Sequence, residues 1–255
     1  MRIIIASGTN CGNDRDINQD SFLVRQMHID RHRVVSAILC DGMGGTYRGE
    51  VASASVVKSF DRWIDNYLVG MIRENVSRDE LRKSWKVWLD DISGKLYRLG
   101  DQKGRTGTTA VILLVIDELY FILNVGDSRV YRFSKSQSVQ ITEDQTMFSR
   151  DIRNGKITAE KAAQMTGANT LLQAVGTTPV CVPDLYAGRI TEPTVFMMCS
   201  DGFRNMISMQ EFKEAFVPDA FQNKLQMKMK IEDMIELNRK RGEKDNISAI
   251  LVKAF

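Results

Sequence analysis

Two spacings organise the apolar residues of this chain. Short runs rich in Val, Ile, Leu, Phe and Met fall at about 2–7, 20–27, 33–40, 109–116, 119–125, 129–134, 185–190, 194–200 and 246–253, and read as strands. Glu118 and the Gly126-Asp127 region supply turn chemistry between the middle ones, and such short connections imply antiparallel pairing. Elsewhere the step is three or four residues. From Glu50 to Tyr67 the positions Val51, Ala52, Ser55, Val56, Ser59, Phe60, Trp63, Ile64 and Tyr67 mark one helix. A second opens on Ser77-Arg78-Asp79-Glu80, whose Ser and Glu can satisfy free amides at a helix start. It carries Leu81, Trp85, Trp88, Leu89, Ile92, Leu96 and Leu99 along one face. A third spans Phe221 to Lys240, with Leu225, Ile231, Met234 and Ile235 inward and Gly242 ending it. The aromatics on these helices are core material and not a cofactor box. Helix pairs with two sets of antiparallel strands predict an α+β fold, a four-layer αββα sandwich of two antiparallel β-sheets flanked by helices.

The segment 142–184 stands apart. It is polar and modestly apolar, with two short helical stretches divided by Asn154-Gly155, Thr158 placed to cap the second, and Gly176-Thr-Thr-Pro179 at its end. It reads as a subdomain lying over something else.

Composition changes the picture mainly by exclusion. With 255 residues, 43% hydrophobic and 26% charged, the chain is long enough for a substantial core. A net charge of +3 is too small to argue for a nucleic-acid partner. The basic stretch Lys224–Lys244 is interleaved with acids at helical spacing, as a solvated helix face is. Val111–Ile116 is too short to cross a bilayer, and the N-terminus lacks a signal peptide's apolar stretch, so no membrane association is expected. Cys11, Cys40, Cys181 and Cys199 form no close pairs. Reduced thiols in a cytoplasmic protein are expected.

The candidate chemistry lies where strands start and stop. Asp20 precedes one apolar run and Asp245 another, while Asp41 and Asp201 each close one. If 21–27 and 33–40 form a hairpin turning near Asp30, Asp20 and Asp41 meet at one sheet edge, and the same opposition lets Asp201 and Asp245 share an edge. Carboxylates gathered in this way repel unless a cation neutralises them. Oxygen-only ligation selects Mg²⁺ or Mn²⁺, and two such ions can activate a water and hold a phosphoryl group. Gly42 and Gly45 permit close backbone approach, with the Gly42 carbonyl a candidate ligand. Arg15 is the candidate phosphate clamp.

Other routes to phosphate-ester chemistry fail on inspection. The residues six after the cysteines are Ile17, Thr46, Ala187 and Asn205, so no cysteine has the arginine of a phosphate-binding loop. No Gly-x4-Gly-Lys-Ser/Thr run occurs. His28 and His32 are the only histidines and fall in a predicted turn.

An ordered set of motifs resembles the metal-dependent protein phosphatases (PPM, protein phosphatase 2C-like) of the bacterial serine/threonine type. It runs Arg15-x4-Asp20, Asp41-Gly-Met-Gly-Gly, Gly49-Glu-Val-Ala-Ser, Gly107-Thr-Thr, Asn124-Val-Gly-Asp127-Ser-Arg, Ala174-Val-Gly-Thr, Ser200-Asp-Gly and Lys244-Asp-Asn. It covers essentially the whole chain, implying one domain over 1–255 with 142–184 as a flap beside the active site. The resemblance implies hydrolysis of phosphoserine and phosphothreonine in proteins by a metal-activated water. It makes Asp20, Asp41, Asp201 and Asp245 ligands of two Mn²⁺ or Mg²⁺ ions, with Asp41 bridging, Gly42 adding its carbonyl and Arg15 binding phosphate. Asp127 would join Asp201 at a third, weaker site. The implied partners are phosphorylated proteins, among them a serine/threonine kinase or its targets; the oligomeric state is left open. Two departures stand out. Gln19 replaces a frequent Glu, and Met43 stands where some members have a His proposed to protonate the leaving group. The alternative is a pseudophosphatase or scaffold that binds a phosphorylated partner without turnover, whose signature would be loss of a ligand aspartate. All four are present.

Overall fold

The computed structural model describes residues 2–43, 48–100, 106–158, 161 and 170–255. Among the described residues, ten strands form two five-stranded sheets. In chain order they are β1 Ile3–Asn10, β2 Asp20–Ile29, β3 His32–Asp41, β4 Ala110–Ile116, β5 Leu119–Val125, β6 Arg129–Ser134, β7 Ser138–Gln140, β8 Asp184–Arg189, β9 Thr194–Cys199 and β10 Ile247–Ala254. One sheet is ordered β1-β10-β9-β6-β7 and the other β2-β3-β4-β5-β8. All the pairings are antiparallel.

The side-chain period of two divides the central strands between different layers. On β3, Val34, Ile38 and Cys40 face the helices while Val35, Ala37 and Leu39 face the other sheet. On β10, Ile247, Ala249 and Leu251 face helices while Ile250, Val252 and Ala254 face inward. Three apolar layers result: helices on the first sheet, sheet on sheet, and helices on the second. That is the expected αββα sandwich.

The helices are α1 Gly49–Trp63, α2 Val69–Arg73, α3 Arg78–Gly100, α4 Met147–Arg153, α5 Asp201–Arg204, α6 Met209–Ala215 and α7 Lys224–Lys240. Ser77 and Glu80 form the expected cap: the Glu80 carboxylate accepts the Ser77 amide at 2.7 Å, and the Ser77 hydroxyl accepts the Glu80 amide at 3.3 Å.

The structure corrects several helical expectations. The first helix does not end at Tyr67; a π-helical turn over Ile64–Leu68 carries it on into α2. The wider turn resets the inward face to Ile64, Leu68 and Ile72, leaving Tyr67 58% exposed, while Val51 is 43% exposed. Leu99 is 70% exposed near the end of α3. The last helix starts at Lys224, where the Asn223 side chain accepts the Gln226 amide, so Phe221 is buried ahead of it. Its inward stripe is Met227, Ile231, Ile235 and Asn238, which turns Leu225 outward at 65% exposure.

The short strand β7 and helices α5 and α6 were not anticipated. The Ser208-Met-Gln-Glu211 spacing did announce α6, and a complete capping box forms there. Within 142–184, α4 is capped by Thr146. Most of the second helical stretch lies outside the described residues, although the Thr158 hydroxyl accepts the Lys161 amide at 3.3 Å, as a cap would.

Candidate metal centre

The β2–β3 hairpin turns at Asp30, whose φ is 51°, and pairs Asp20 directly with Asp41. In the other sheet Ala249 of β10 pairs with Cys199 of β9, so the residues just beyond, Asp245 and Asp201, leave from the same edge. Asp41, Asp127, Asp201 and Asp245 line one cavity of about 300 Å³, together with Met43, Thr109, Thr170 and Leu171. The expected carboxylates therefore converge from both sheets. Asp127, in the turn between β5 and β6, joins them and is only 5% exposed. Asp20 lies beside Asp41 without lining the cavity.

Backbone contacts fix this edge. The Asp41 amide donates to Thr109 Oγ1 at 2.9 Å, and the Asp41 carbonyl accepts from the Thr109 amide at 2.9 Å and the Thr108 hydroxyl at 2.8 Å. Gly42 is wedged: a Cβ there would stand 2.4 Å from the Gly49 carbonyl oxygen and 2.7 Å from that of Gln19. Gly45, Thr46 and the neighbouring expected glycine contacts lie outside the described residues.

The principal organiser that the sequence did not single out is Asn246, which is 3% exposed. Its Oδ1 accepts the Gln19 amide at 2.8 Å, and its Nδ2 donates to the carbonyls of Cys11 at 2.9 Å and Ile17 at 3.2 Å. One side chain thus ties the loop leading to Asp20 onto the strand beginning after Asp245. Its outward signals were its place in the Lys244-Asp-Asn motif and a polar residue at the head of an apolar run.

Burial without compensating charge dominates the electrostatics. Asp20 is pushed up to about 7, first by burial and then by Asp201 and Asp245. Neither of its carboxylate oxygens has a hydrogen-bond partner among the described residues. The Ser248 and Ser200 hydroxyls pull it down again, yet both are engaged elsewhere, Ser248 with Thr9 at 2.7 Å and Ser200 with the Asn246 and Ser248 carbonyls. Asp20 is thus left unpartnered among the described residues. Asp41 is raised well above the usual carboxylate range by burial and by Asp20, Asp201 and Asp127. Asp127 is pushed up to about 7 by burial and Asp201, with Arg204 opposing. Asp201 is raised by burial, again against Arg204, and its Oδ1 has no partner among the described residues.

Orphaned, buried carboxylate oxygens in a set without thiolate or imidazole are the donor chemistry of a hard divalent cation. Among the described residues, no three His, Cys, Asp or Glu already stand in metal-holding arrangement. Asp245 shows one reason. Arg15 donates from Nε and Nη2 to its two oxygens at 3.1 and 2.9 Å, and the Asn246 amide donates to Oδ1 at 2.8 Å. Arg15 is thus held against the carboxylate edge, outside the cavity lining. Gln19 turns away and donates to Glu50 at 3.2 Å.

A further charge system missed from sequence borders Asp127. Arg129 binds Asp144 through Nε at 2.7 Å and Nη2 at 2.6 Å, and Arg204 reaches both Asp127 and Asp144. Arg204 follows Asp201 by three residues, one helical turn, and that spacing was the available signal.

Comparison with known proteins gives a consistent result. The sequence model of the family described as Protein phosphatase 2C matches residues 7–252. Protein phosphatase PhpP of Streptococcus pneumoniae is 26% identical over 247 residues, covering 96% of this chain and 94% of that protein. Serine/threonine phosphatase stp of Listeria monocytogenes is 26% identical over 249 residues, with 96% and 93% covered. Among solved structures, the Streptococcus agalactiae serine/threonine phosphatase superposes with a TM-score of 0.83 at 28% identity, covering 98% of this chain and 99% of that one. Serine/threonine phosphatase Stp1 from Staphylococcus aureus gives 0.84 at 26% identity, covering 100% and 96%.

Proposed function

The chain belongs to the protein phosphatase 2C family, and from that premise we propose that it removes phosphate from phosphoserine and phosphothreonine in proteins at the edge formed by Asp20, Asp41, Asp201 and Asp245. It is a protein serine/threonine phosphatase by kind, and the family is metal-dependent. The observation that carries the assignment of residues is the convergence of four carboxylates on one cavity from two separate sheets, with a fifth, Asp20, unpartnered behind them.

In this reading Asp20, Asp41, Asp201, Asp245 and the Gly42 carbonyl would hold two Mn²⁺ or Mg²⁺ ions, and Asp127 with Asp201 would offer a third position. When bound, the ions supply positive charge, a water of lowered pKa and a template for the phosphoryl group. The protein does the rest. The Thr108 and Thr109 contacts hold the Asp41 backbone, and Asn246 holds the loop that delivers Asp20. Arg15, released from Asp245, clamps the substrate phosphate with two parallel N–H donors. Met43 lines the cavity and has no proton to give, so protonation of the leaving alkoxide is not assigned to it.

Thr170 and Leu171 reach the cavity from 142–184, which supports reading that segment as a flap within one domain spanning 1–255. The substrates are phosphorylated proteins, and a serine/threonine kinase or its targets are the proposed ones. No helix among the described residues is long and apolar enough to cross a membrane. The four cysteines are free thiols, which supports work in a reducing compartment such as the cytoplasm.

The test is phosphopeptide hydrolysis in excess EDTA and after return of Mn²⁺, beside Asp201→Asn. Activity is expected only with the ion, and near background in the variant. Full turnover in EDTA after dialysis, or in Asp201→Asn, would overturn the assignment. Retained Mn²⁺ binding with no turnover on any phosphopeptide would favour the non-hydrolytic scaffold.

A further inference from the structure

Arg204 is buried, with a side chain 10% exposed, and its charge must be answered locally. Its Nη2 stands 3.3 Å from Asp127 Oδ2, 3.4 Å from the Asp127 carbonyl oxygen and 3.6 Å from Asp144 Oδ2. Asp144 is already served on both oxygens by the Arg129 fork, and by Gln140 at 3.3 Å. Matching the charges pair by pair leaves Asp127 as the counter-charge of Arg204. That link is a single-nitrogen contact, unlike the fork on Asp144, and Arg204 Nε is buried without a partner among the described residues. The guanidinium is thus held loosely enough to be in competition for the carboxylate it touches.

We infer that Arg204 is a resident counter-cation of the outer carboxylate pair, occupying Asp127 in place of a divalent ion and keeping the third ion position weak. The inference rests on reading Asp127 and Asp201 as ion ligands. A divalent ion needs the Asp127 oxygen that the guanidinium faces, and would sit a few ångströms from a fixed positive charge in a poorly solvated place, where like charges repel strongly. In exchange, Arg204 gives the site permanently some of the positive charge that a third ion would bring. The device is specific to the outer position, because Asp20 and Asp245 have no contact with Arg204, and Asp245 answers to Arg15 instead.

The experiment is calorimetric Mn²⁺ titration of the full chain without substrate, with free Mn²⁺ counted in parallel by electron paramagnetic resonance. Wild type is expected to bind two ions well and a third at least about tenfold more weakly. Arg204→Gln should strengthen the third site by about tenfold or more, the scale set by removing a unit charge a few ångströms away. Arg204→Lys, which keeps the charge, should restore wild-type behaviour, and Asp127→Asn in the Arg204→Gln background should abolish the gain. A folded Arg204→Gln with the wild-type isotherm would overturn the inference. So would three comparable sites in wild type, a result that stands even if Arg204→Gln does not fold. Wild type that binds no Mn²⁺ would remove the metal-centre reading as well, whereas two normal sites unchanged by Arg204→Gln would remove this inference alone.

Discussion

Replacing Asp20 by Asn isolates what the chain pays for concentrating carboxylates. Asp20 rises from 3.8 to about 7, chiefly through burial. Between those values the folded protein holds a proton that the unfolded chain has released. The group's contribution to stability therefore falls as pH climbs through the window, and the full loss stands above pH 7. At about 1.36 kcal/mol per pH unit the loss approaches about 4 kcal/mol. Asn keeps the size and discards the charge, but its amide inherits the same partnerless surroundings, which costs about 1–3 kcal/mol. In excess EDTA at pH 8, Asp20→Asn should therefore be about 1–3 kcal/mol more stable than wild type. At pH 5 the advantage should vanish or reverse, because only about 1–2 kcal/mol of the ionisation loss remains there. Urea unfolding followed by fluorescence of the buried Trp63, Trp85 and Trp88 measures both differences. Added Mn²⁺ should raise the wild-type midpoint and the variant's much less. A variant less stable than wild type at pH 8 in EDTA, or a difference independent of pH, would refute the reasoning.

Arg15→Ala should mainly raise KM for a phosphopeptide, because it removes a phosphate clamp and leaves the carboxylates in place; unchanged steady-state kinetics would return Arg15 to a partner of Asp245 alone. Asp127→Asn should lower kcat while the two stronger ions bind nearly normally, and should also weaken the fold by leaving Arg204 with Asp144, 3.6 Å away, as its remaining carboxylate partner. Parallel calorimetry, kinetics and thermal melting separate those effects, and wild-type turnover would return Asp127 to a turn residue. Asn246→Ala breaks three partly buried hydrogen bonds and should cost about 3 kcal/mol in chemical denaturation. Mn²⁺ affinity should fall with it, since the Asp20 loop loses its tether. A loss under about 0.5 kcal/mol would mean the loop is held by other contacts.

Much of this molecule is legible in one dimension because the two periods are physical. A strand buried on both faces shows an unbroken apolar run, and Asp41 at the end of such a run is conspicuous because nothing apolar follows it. The Asp20–Asp41 pairing needed only the hairpin register. The fate of Arg204 and Asn246 was not legible. Each acts through partners distant in sequence, Arg204 reaching back to Asp127 and Asn246 to Cys11 and Gln19. The exposed Leu225 and Tyr67 show a different limit. A cap at Asn223 and a π turn at Ile64–Leu68 each shift the inward stripe, and periodicity read forward from an assumed start carries the error along.

The strand order has a consequence for synthesis. β10, the last strand in chain order, lies between β1, the first, and β9, with Asp245 just ahead of it. On the ribosome, Asp20 and Asp41 emerge early and can pair within their own hairpin. Their partners from the other sheet are not assembled until β10 has been made and has closed the gap beside β1. A chain that stops short of β10 carries Asp20, Asp41, Asp127 and Asp201 but lacks Asp245 and the strand that joins β1 to β9, so the carboxylate edge closes only once β10 has been made.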